Sequence, residues 1–236
     1  MSILTVEGWA SIPGLVHGFL SCPSSGPTTR STDWSAELEA QGLPLLKLVL
    51  ARQVHGARIC RATALLPPSP PEADGLLTTT AGIAVGVTTA DCVPVLLIAP
   101  PARLAVAVHA GWRGIIAGIV PEAIRAAAAH AAIPAAELRA AIGPAVGACC
   151  YQVGPEVRTA FEKRYGRSFA APAFTATGTR SYLDLRLFVR NQLEAGGVPP
   201  YAIQILGPCT ACDRSYASYR RDGPRAGRQL SFAGWL

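Results

Sequence analysis

The chain is short of several things that particular classes of protein require. It has one methionine and four histidines in 236 residues. A blue-copper centre ordinarily adds an axial methionine, and the only one here is Met1, so an electron-transfer copper site is disfavoured. Four imidazoles are too few for an array of several coppers. Charged residues make up only 15% of the chain, but hydrophobic residues reach 50%, a globular composition that excludes a disordered polyelectrolyte. Long apolar runs are missing as well. Uncharged stretches such as Thr78–Ala90 carry Thr and Gly and run into Asp91, so none reaches the roughly 18 apolar residues of a membrane helix. The N-terminus, Met1 to Trp9, has neither a positive segment nor a long apolar core, so no signal peptide is expected and the cytoplasm is the default location. In that reducing compartment, seven cysteines, an odd number, argue against a disulfide framework.

What is present bounds the answer further. The length suits one well-cored domain spanning 1–236, and no repeat or linker divides it. Net charge is +6, with arginines scattered and densest over Arg214–Arg228. That pattern does not describe a nucleic-acid or membrane surface; it suits a phosphate- or carboxylate-bearing small molecule.

Strands are expected at Ile83–Val87, Val93–Ala99, Leu104–Val108 and Ile203–Leu206. Helices are expected at Ile115–Ala132, with a kink or restart at Pro121, at Pro155–Tyr165, and from Asp184 as cap to Gly196. Gly26–Ser35 and Leu66–Pro71 read as loops. Strands come in adjacent pairs rather than in strand–helix alternation, which points to an α+β fold.

The apolar runs flanking Pro100-Pro101 are spaced as a hairpin. A symmetric turn centred between the prolines puts Cys92 opposite His109, side chains on one face with Cβ atoms roughly 4.5–5.5 Å apart. A bulge would shift this by one residue and separate the faces. The pairing suits two ligands of one metal, or a thiol–imidazole dyad. Thr88-Thr89-Ala90-Asp91 is a polar interruption between two apolar strands. Ala110-Gly111-Trp112-Arg113-Gly114 offers two glycines and a helix N-terminus for an anion, a guanidinium clamp at Arg113 and a flat ring at Trp112. His55, in Arg52-Gln53-Val54-His55-Gly56, is a weak signal alone. Cys209-Thr210-Ala211-Cys212 can be redox-active, half a zinc knuckle or incidental; Cys149-Cys150 reads as packing, and His17 and His130 as ordinary.

Taken together these segments resemble a known family. Arg52–Gly56, Ala73-Asp74-Gly75-Leu76, Thr89–Pro94, His109–Gly114, Ile142-Gly143-Pro144 with Cys150-Tyr151-Gln152-Val153, Asp184-Leu185, Cys209-Thr210, and Ser218–Asp222 with Gly227-Arg228-Gln229 occur in the order of the YfiH family, also called the multicopper polyphenol oxidoreductase or laccase-domain family. The resemblance covers roughly 50–236. Residues 1–49 diverge: members follow His-Gly-Phe with Thr-Arg, then with stretches supplying an Arg and an Asn near the site, whereas His17-Gly18-Phe19 here leads to Leu20-Ser21-Cys22-Pro23.

The resemblance implies a four-layered α/β/β/α domain and a zinc held by His55, Cys92 and His109. It also implies phosphorolysis of purine nucleosides including methylthioadenosine, and deamination of adenosine. Some members are described instead as peptidoglycan editing factors removing a misincorporated L-Ser from a muropeptide precursor, others as copper-dependent laccases. Two imidazoles and a thiolate suit zinc better than copper here, with an open fourth position. Cys92, His109, His55 and Asp91 are then the catalytic candidates, Asp91 as general acid/base. Arg113, Gln53, Trp112 and, more weakly, Arg52 are the substrate contacts. The rivals are a metal-free cysteine hydrolase and an inactive small-molecule-binding member. A monomer or small homo-oligomer is expected.

Overall fold

In the computed structural model, which describes residues 2–21, 34–43, 47–65 and 69–236, the run Val93–Ala99 is buried on both faces. Val93, Val95, Leu97 and Ala99 join one core cluster and Leu96 and Ile98 another. A strand enclosed on both sides needs no polar alternation, which is why its sequence reads as continuous apolar residues.

That strand lies inside a six-stranded sheet, ordered Ile203–Ile205, Arg139–Ile142, Val93–Ala99, Leu104–Ala110, Gly75–Thr78, Ile59–Arg61. A five-stranded sheet runs Ile3–Leu4, Leu15–Leu20, Gln229–Trp235, Ile83–Thr89, Lys47–Leu50. Phe19, Val85, Val87 and Trp235 of the second sheet meet Leu76, Leu96, Ile98 and Ala107 of the first in a shared core. Trp34 and Leu38 of the helix Trp34–Ala40 cover the outer face of the five-stranded sheet. The helices Ile119–Ala131, Pro155–Tyr165 and Leu185–Ala195 cover the outer face of the other. The order of layers is therefore α/β/β/α, in an α+β fold, as the resemblance implied. A three-stranded ribbon, Gln152–Val153, Arg180–Leu183, Phe174–Thr177, lies apart from both sheets. Among the described residues no helix is long and apolar enough to cross a membrane.

Helix patterning explains the outer layer. Leu185, Phe188, Val189, Gln192 and Leu193 are the buried residues of Leu185–Ala195, the stripe of an amphipathic helix. The Asp184 carboxylate accepts from Leu187 N–H and caps it.

Three expectations need correction. Ile115–Ala132 is two helices, Trp112–Ala117 and Ile119–Ala131, meeting at Gly118 with φ 95°. The break falls at the residue that tolerates left-handed backbone, and Pro121 sits in the following first turn, where its missing N–H costs no helical bond. The hairpin is also displaced. Pro94 pairs with His109 and Ala99 with Leu104, because Pro100 opens a 3-10 turn through Ala102 that Arg103 closes at φ 47°. The turn thus centres between Pro101 and Ala102. The register moves by two residues rather than one, so parity survives, and Cys92 and His109 are diagonal rather than direct neighbours. Finally, of the loop expected at Gly26–Ser35, residues 26–33 lie outside the described residues and Trp34 and Ser35 open a helix. Leu66 to Pro68 of the other expected loop also lie outside them.

The polar interruption before Cys92 has a topological meaning. Ile83–Thr89 belongs to one sheet and Val93–Ala99 to the other, so Ala90, Asp91 and Cys92 carry the chain across, with Asp91 at φ 86°. A second crossing, from Lys47–Leu50 to Ile59–Arg61, contains His55 at φ 60°.

Enclosure of the six-stranded sheet on both faces makes a direct prediction. Leu96→Ala and Leu97→Ala, neighbours facing opposite cores, should each cost about 2–5 kcal/mol in urea unfolding. A near-neutral effect of either would mean that its face is not packed.

Candidate metal centre and its cavity

The site is assembled around one carboxylate. Asp74 is fully buried and stands immediately before the strand Gly75–Thr78. Its Oδ2 accepts from the N–H groups of Val54 at 3.2 Å and Gly56 at 2.7 Å, and its Oδ1 accepts from His55 N–H at 2.9 Å. Three successive donors hold the Val54–Gly56 turn in the left-handed excursion at His55. The same Oδ1 lies 2.8 Å from His109 Nδ1. A buried carboxylate only accepts, so Nδ1 carries the proton and Nε2 faces the site. The Asp74 carbonyl also accepts from His109 N–H at 2.7 Å.

His55, Cys92 and His109 converge, their ligand atoms all within 4.8 Å of one another. Cys92 Sγ is 4.0 Å from His55 Nε2, and the two imidazole rings meet edge to face with centroids 4.8 Å apart. Room for an ion is kept by Gly111. A Cβ there would come 3.0 Å from both Cys92 Sγ and His55 Cδ2. The donor set of two imidazoles and one thiolate, all reachable from one point, fits zinc with an open fourth position.

Electrostatics favour a charged pair. Burial pushes the Cys92 thiol up, but hydrogen bonds with His109 and His55 outweigh it and bring the pKa down to about 6. Burial pushes His109 down, but its bonds to Asp74 and Cys92 lift it to about 9. Burial raises Asp74 too, and the His109 and backbone donors still hold its carboxyl below the usual range. Both shifts favour the thiolate at Cys92 and the protonated imidazole at His109.

The triad forms one wall of a cavity of about 870 Å³, within the range of small-molecule sites. Gln53, Asp91, Trp112, Arg113, Tyr151, Tyr219, Arg220 and Arg228 also line it. Arg113 stacks over Trp112 at 4.5 Å and Arg220 over Tyr151 at 5.1 Å. Among the described residues, Arg113, Arg220 and Arg228 form no ion pair with a carboxylate. Burial, followed by the negative charge of Cys92, pushes the Tyr151 phenol up to about 12, so it stays protonated.

The remaining sequence candidates divide. Gln53 lines the cavity, but its amide is bonded on both sides to Thr88, donating to the carbonyl at 2.8 Å and accepting from the N–H at 2.8 Å. Asp91 lines it too, with its carboxylate accepting from Thr210 Oγ1 at 2.6 Å and Arg220 N–H at 2.5 Å. Arg52 is not among the lining residues; it pairs with Glu72 on the exposed side. The two glycines of Gly111-Trp112-Arg113-Gly114 serve close packing: a Cβ at Gly114 would come 2.9 Å from the Gly56 carbonyl. Asp74, Tyr151, Arg220 and Arg228 stood in the recognised motifs without an assigned role. Only the fold brings Asp74 beneath His109, or Arg220 and Arg228 into one cavity with Cys92.

The chain is similar to known proteins. The family model described as multi-copper polyphenol oxidoreductase laccase matches residues 32–236. The chain is 34% identical over 214 residues, 87% of its length and 76% of the relative's, to a protein of Geobacillus stearothermophilus named purine nucleoside phosphorylase YlmD. It is 35% identical over 200 residues, 80% of its length and 76% of the relative's, to adenosine deaminase RL5 from an unknown prokaryotic organism. The crystal structure of a hypothetical protein YfiH from Bacillus licheniformis superposes with a TM-score of 0.85 at 27% identity, covering 100% of this chain and 97% of that one. The chain belongs to this laccase-domain family, the YfiH family.

The lowered thiol gives a pH prediction for metal-free protein. Thiolate is the reactive form, so alkylation of Cys92 should be fast above pH about 6 and fall away as pH drops through that value. Mass-spectrometric rates showing a midpoint near 9 would contradict the ion pair.

Proposed function

We propose that the protein is a zinc-dependent purine nucleoside phosphorylase that also deaminates adenosine and accepts methylthioadenosine. The observation that carries this reading is the meeting, in one cavity, of the His55–Cys92–His109 triad with Arg113, Arg220 and Arg228, which form no ion pair with a carboxylate among the described residues. Such a cavity calls for an anionic co-substrate, and relatives bearing the phosphorylase and deaminase names support the choice.

His55 Nε2, Cys92 Sγ and His109 Nε2 would hold the zinc, and the ion would supply Lewis acidity at its open position. The rest follows from the chain's own groups. Inorganic phosphate sits between Arg113, Arg220 and Arg228, whose charge offsets its own. An oxygen of hydrogen phosphate attacks C1′, the C1′–N9 bond breaks with its electron pair going to the base, and the proton that hydrogen phosphate gives up ends on the base, which leaves neutral. The sugar centre passes through an oxocarbenium-like state that the bound dianion stabilises. The Tyr151 phenol donates a hydrogen bond in the cavity, and the Trp112 ring offers a face for the purine. Deamination replaces phosphate with water as nucleophile at C6, with ammonia leaving.

Asp91 was proposed above as general acid/base. Its two engaged oxygens favour a positioning part, holding Arg220 and Thr210 at the cavity wall. Gln53 likewise braces the strand end at Thr88 beside the site.

One observation favours a second reading. Cys92 Sγ lies 4.0 Å from His55 Nε2 at the cavity wall, and a thiol beside an imidazole is also what a cysteine hydrolase acting on a muropeptide precursor would use. A copper laccase finds less support, since His17 is occupied with Val6 N–H and His130 with Thr79, leaving two imidazoles for the site.

Purified protein incubated with adenosine and phosphate should release adenine and ribose 1-phosphate by chromatography. Cys92→Ala should lower this at least about 100-fold. Arg113→Ala should raise KM for phosphate about tenfold or more, as expected for a charge-assisted hydrogen bond of about 1.5–3 kcal/mol. Base release independent of phosphate, or activity only on a muropeptide, would contradict the proposal.

A further inference from the structure

Away from the catalytic triad, four cysteines from two distant segments meet. Cys149 and Cys150 lie on one turn, and Cys209 and Cys212 on another; their sulfurs all lie within 4.8 Å of one another. Cys150 Sγ is 3.3 Å and Cys149 Sγ 3.6 Å from Cys212 Sγ. A parallel bridge between Ala145 and Cys209 joins the two segments, and Thr210 N–H donates to the Ala145 carbonyl at 3.1 Å. Each turn is closed by its own backbone: Cys150 N–H donates to Gly147 O at 3.0 Å, and Cys212 N–H to Cys209 O at 3.1 Å.

Packing does not account for this. Cysteine is ordinarily among the most buried residues, yet Cys149 and Cys212 are exposed and the other two half-buried. Thiols are weak donors and weak acceptors, so four of them side by side at a surface gain little from one another. All four are free thiols, and all four sulfurs converge on one point rather than in two separate pairs. Four thiolates around one zinc at about 2.3 Å lie at the corners of a tetrahedron with edges of roughly 3.8 Å, close to the separations seen. Two further observations point to a ligand. Gly147 N–H donates to Cys209 Sγ at 3.1 Å, the kind of contact that offsets thiolate charge in a metal site. Gly147 itself is packed on the sulfurs: a Cβ there would lie 3.3 Å from Cys149 Sγ and 3.2 Å from Cys209 Cβ.

We infer that Cys149, Cys150, Cys209 and Cys212 form a second metal site, a closed tetrathiolate centre for zinc. It differs from the first in leaving no open position, so its part is structural. It staples the turn leading into Tyr151 to the segment carrying Thr210, which holds Asp91 at 2.6 Å. Arg221 adds to the same wall by donating to the Thr210 carbonyl at 2.9 Å. The second zinc thereby fixes one side of the catalytic cavity from behind. This does not depend on the nucleoside reading, and the variants below separate the two.

The test uses Cys92→Ala protein, which has no thiolate at the first site. Isolated anaerobically from zinc-supplied cells and dialysed, it should retain one zinc per chain by elemental analysis. After exchange with cobalt(II) it should show the ligand-field and thiolate charge-transfer bands of tetrahedral Co–S coordination, for which Cys149, Cys150, Cys209 and Cys212 are the remaining cysteine cluster among the described residues. Adding Cys209→Ser and Cys212→Ser should bring the metal content from one to none. The cobalt spectrum decides even where that variant fails to fold. Metal-free protein with four reduced thiols, a Cys150–Cys212 disulfide on peptide mapping, or bound cobalt without thiolate bands would each overturn the proposal.

Discussion

A single buried carboxylate governs the active end of this molecule. Asp74 accepts from three consecutive backbone N–H groups and from the His109 imidazole. It thereby fixes the turn that presents His55 and the tautomer in which His109 presents Nε2. Burying such a charge is costly unless it is fully satisfied, and four donors satisfy it. The two imidazoles of the candidate metal centre are thus set by one carboxylate that lies behind them. The third, Cys92, is set by topology, because the chain must cross between sheets where Thr89 ends one strand and Val93 begins the next.

The two crossings explain why the site lies where it does. A sandwich of two sheets has its core between them and its connections at the ends. Ala90–Cys92 and the segment through His55 are both connections of this kind, and both carry a non-glycine residue at positive φ, Asp91 and His55. Such conformations persist only where surrounding contacts over-determine them. Here Thr210 Oγ1 and the N–H groups of Arg220 and Val146 secure Asp91, and Asp74 secures His55. Rigid strands behind, corners at positive φ in front and an arginine-lined cavity between them together give a pre-arranged pocket beside the His55–Cys92–His109 triad.

Much of this was legible in the residues. The strands flanking Pro100-Pro101, the capped helix after Asp184 and the partnership of Cys92 with His109 follow from local pattern. Local pattern could not supply the exact register, because the 3-10 turn closed by Arg103 extends the loop beyond the prolines. Nor could it place the helix break, where a lone glycine at position 118 outweighed the more conspicuous Pro121. The role of Asp74 was hidden because a carboxylate flanked by Ala73 and Gly75 carries no signal until the fold sets it under His109. The convergence of Cys149-Cys150 on Cys209 and Cys212 was hidden for the same reason, since about 60 residues separate the two turns. Long-range pairings of this sort are a property of topology rather than of sequence windows.

The central claim is that Asp74 builds the metal centre through hydrogen bonds and charge. Asp74→Asn keeps the shape but removes the charge and replaces one acceptor oxygen with a donor. Measured by chelator competition on folded protein, its zinc affinity at the His55–Cys92–His109 site should fall about 10–100-fold. An Asp74→Asn protein that folds normally and binds this zinc as tightly as the parent would contradict the account.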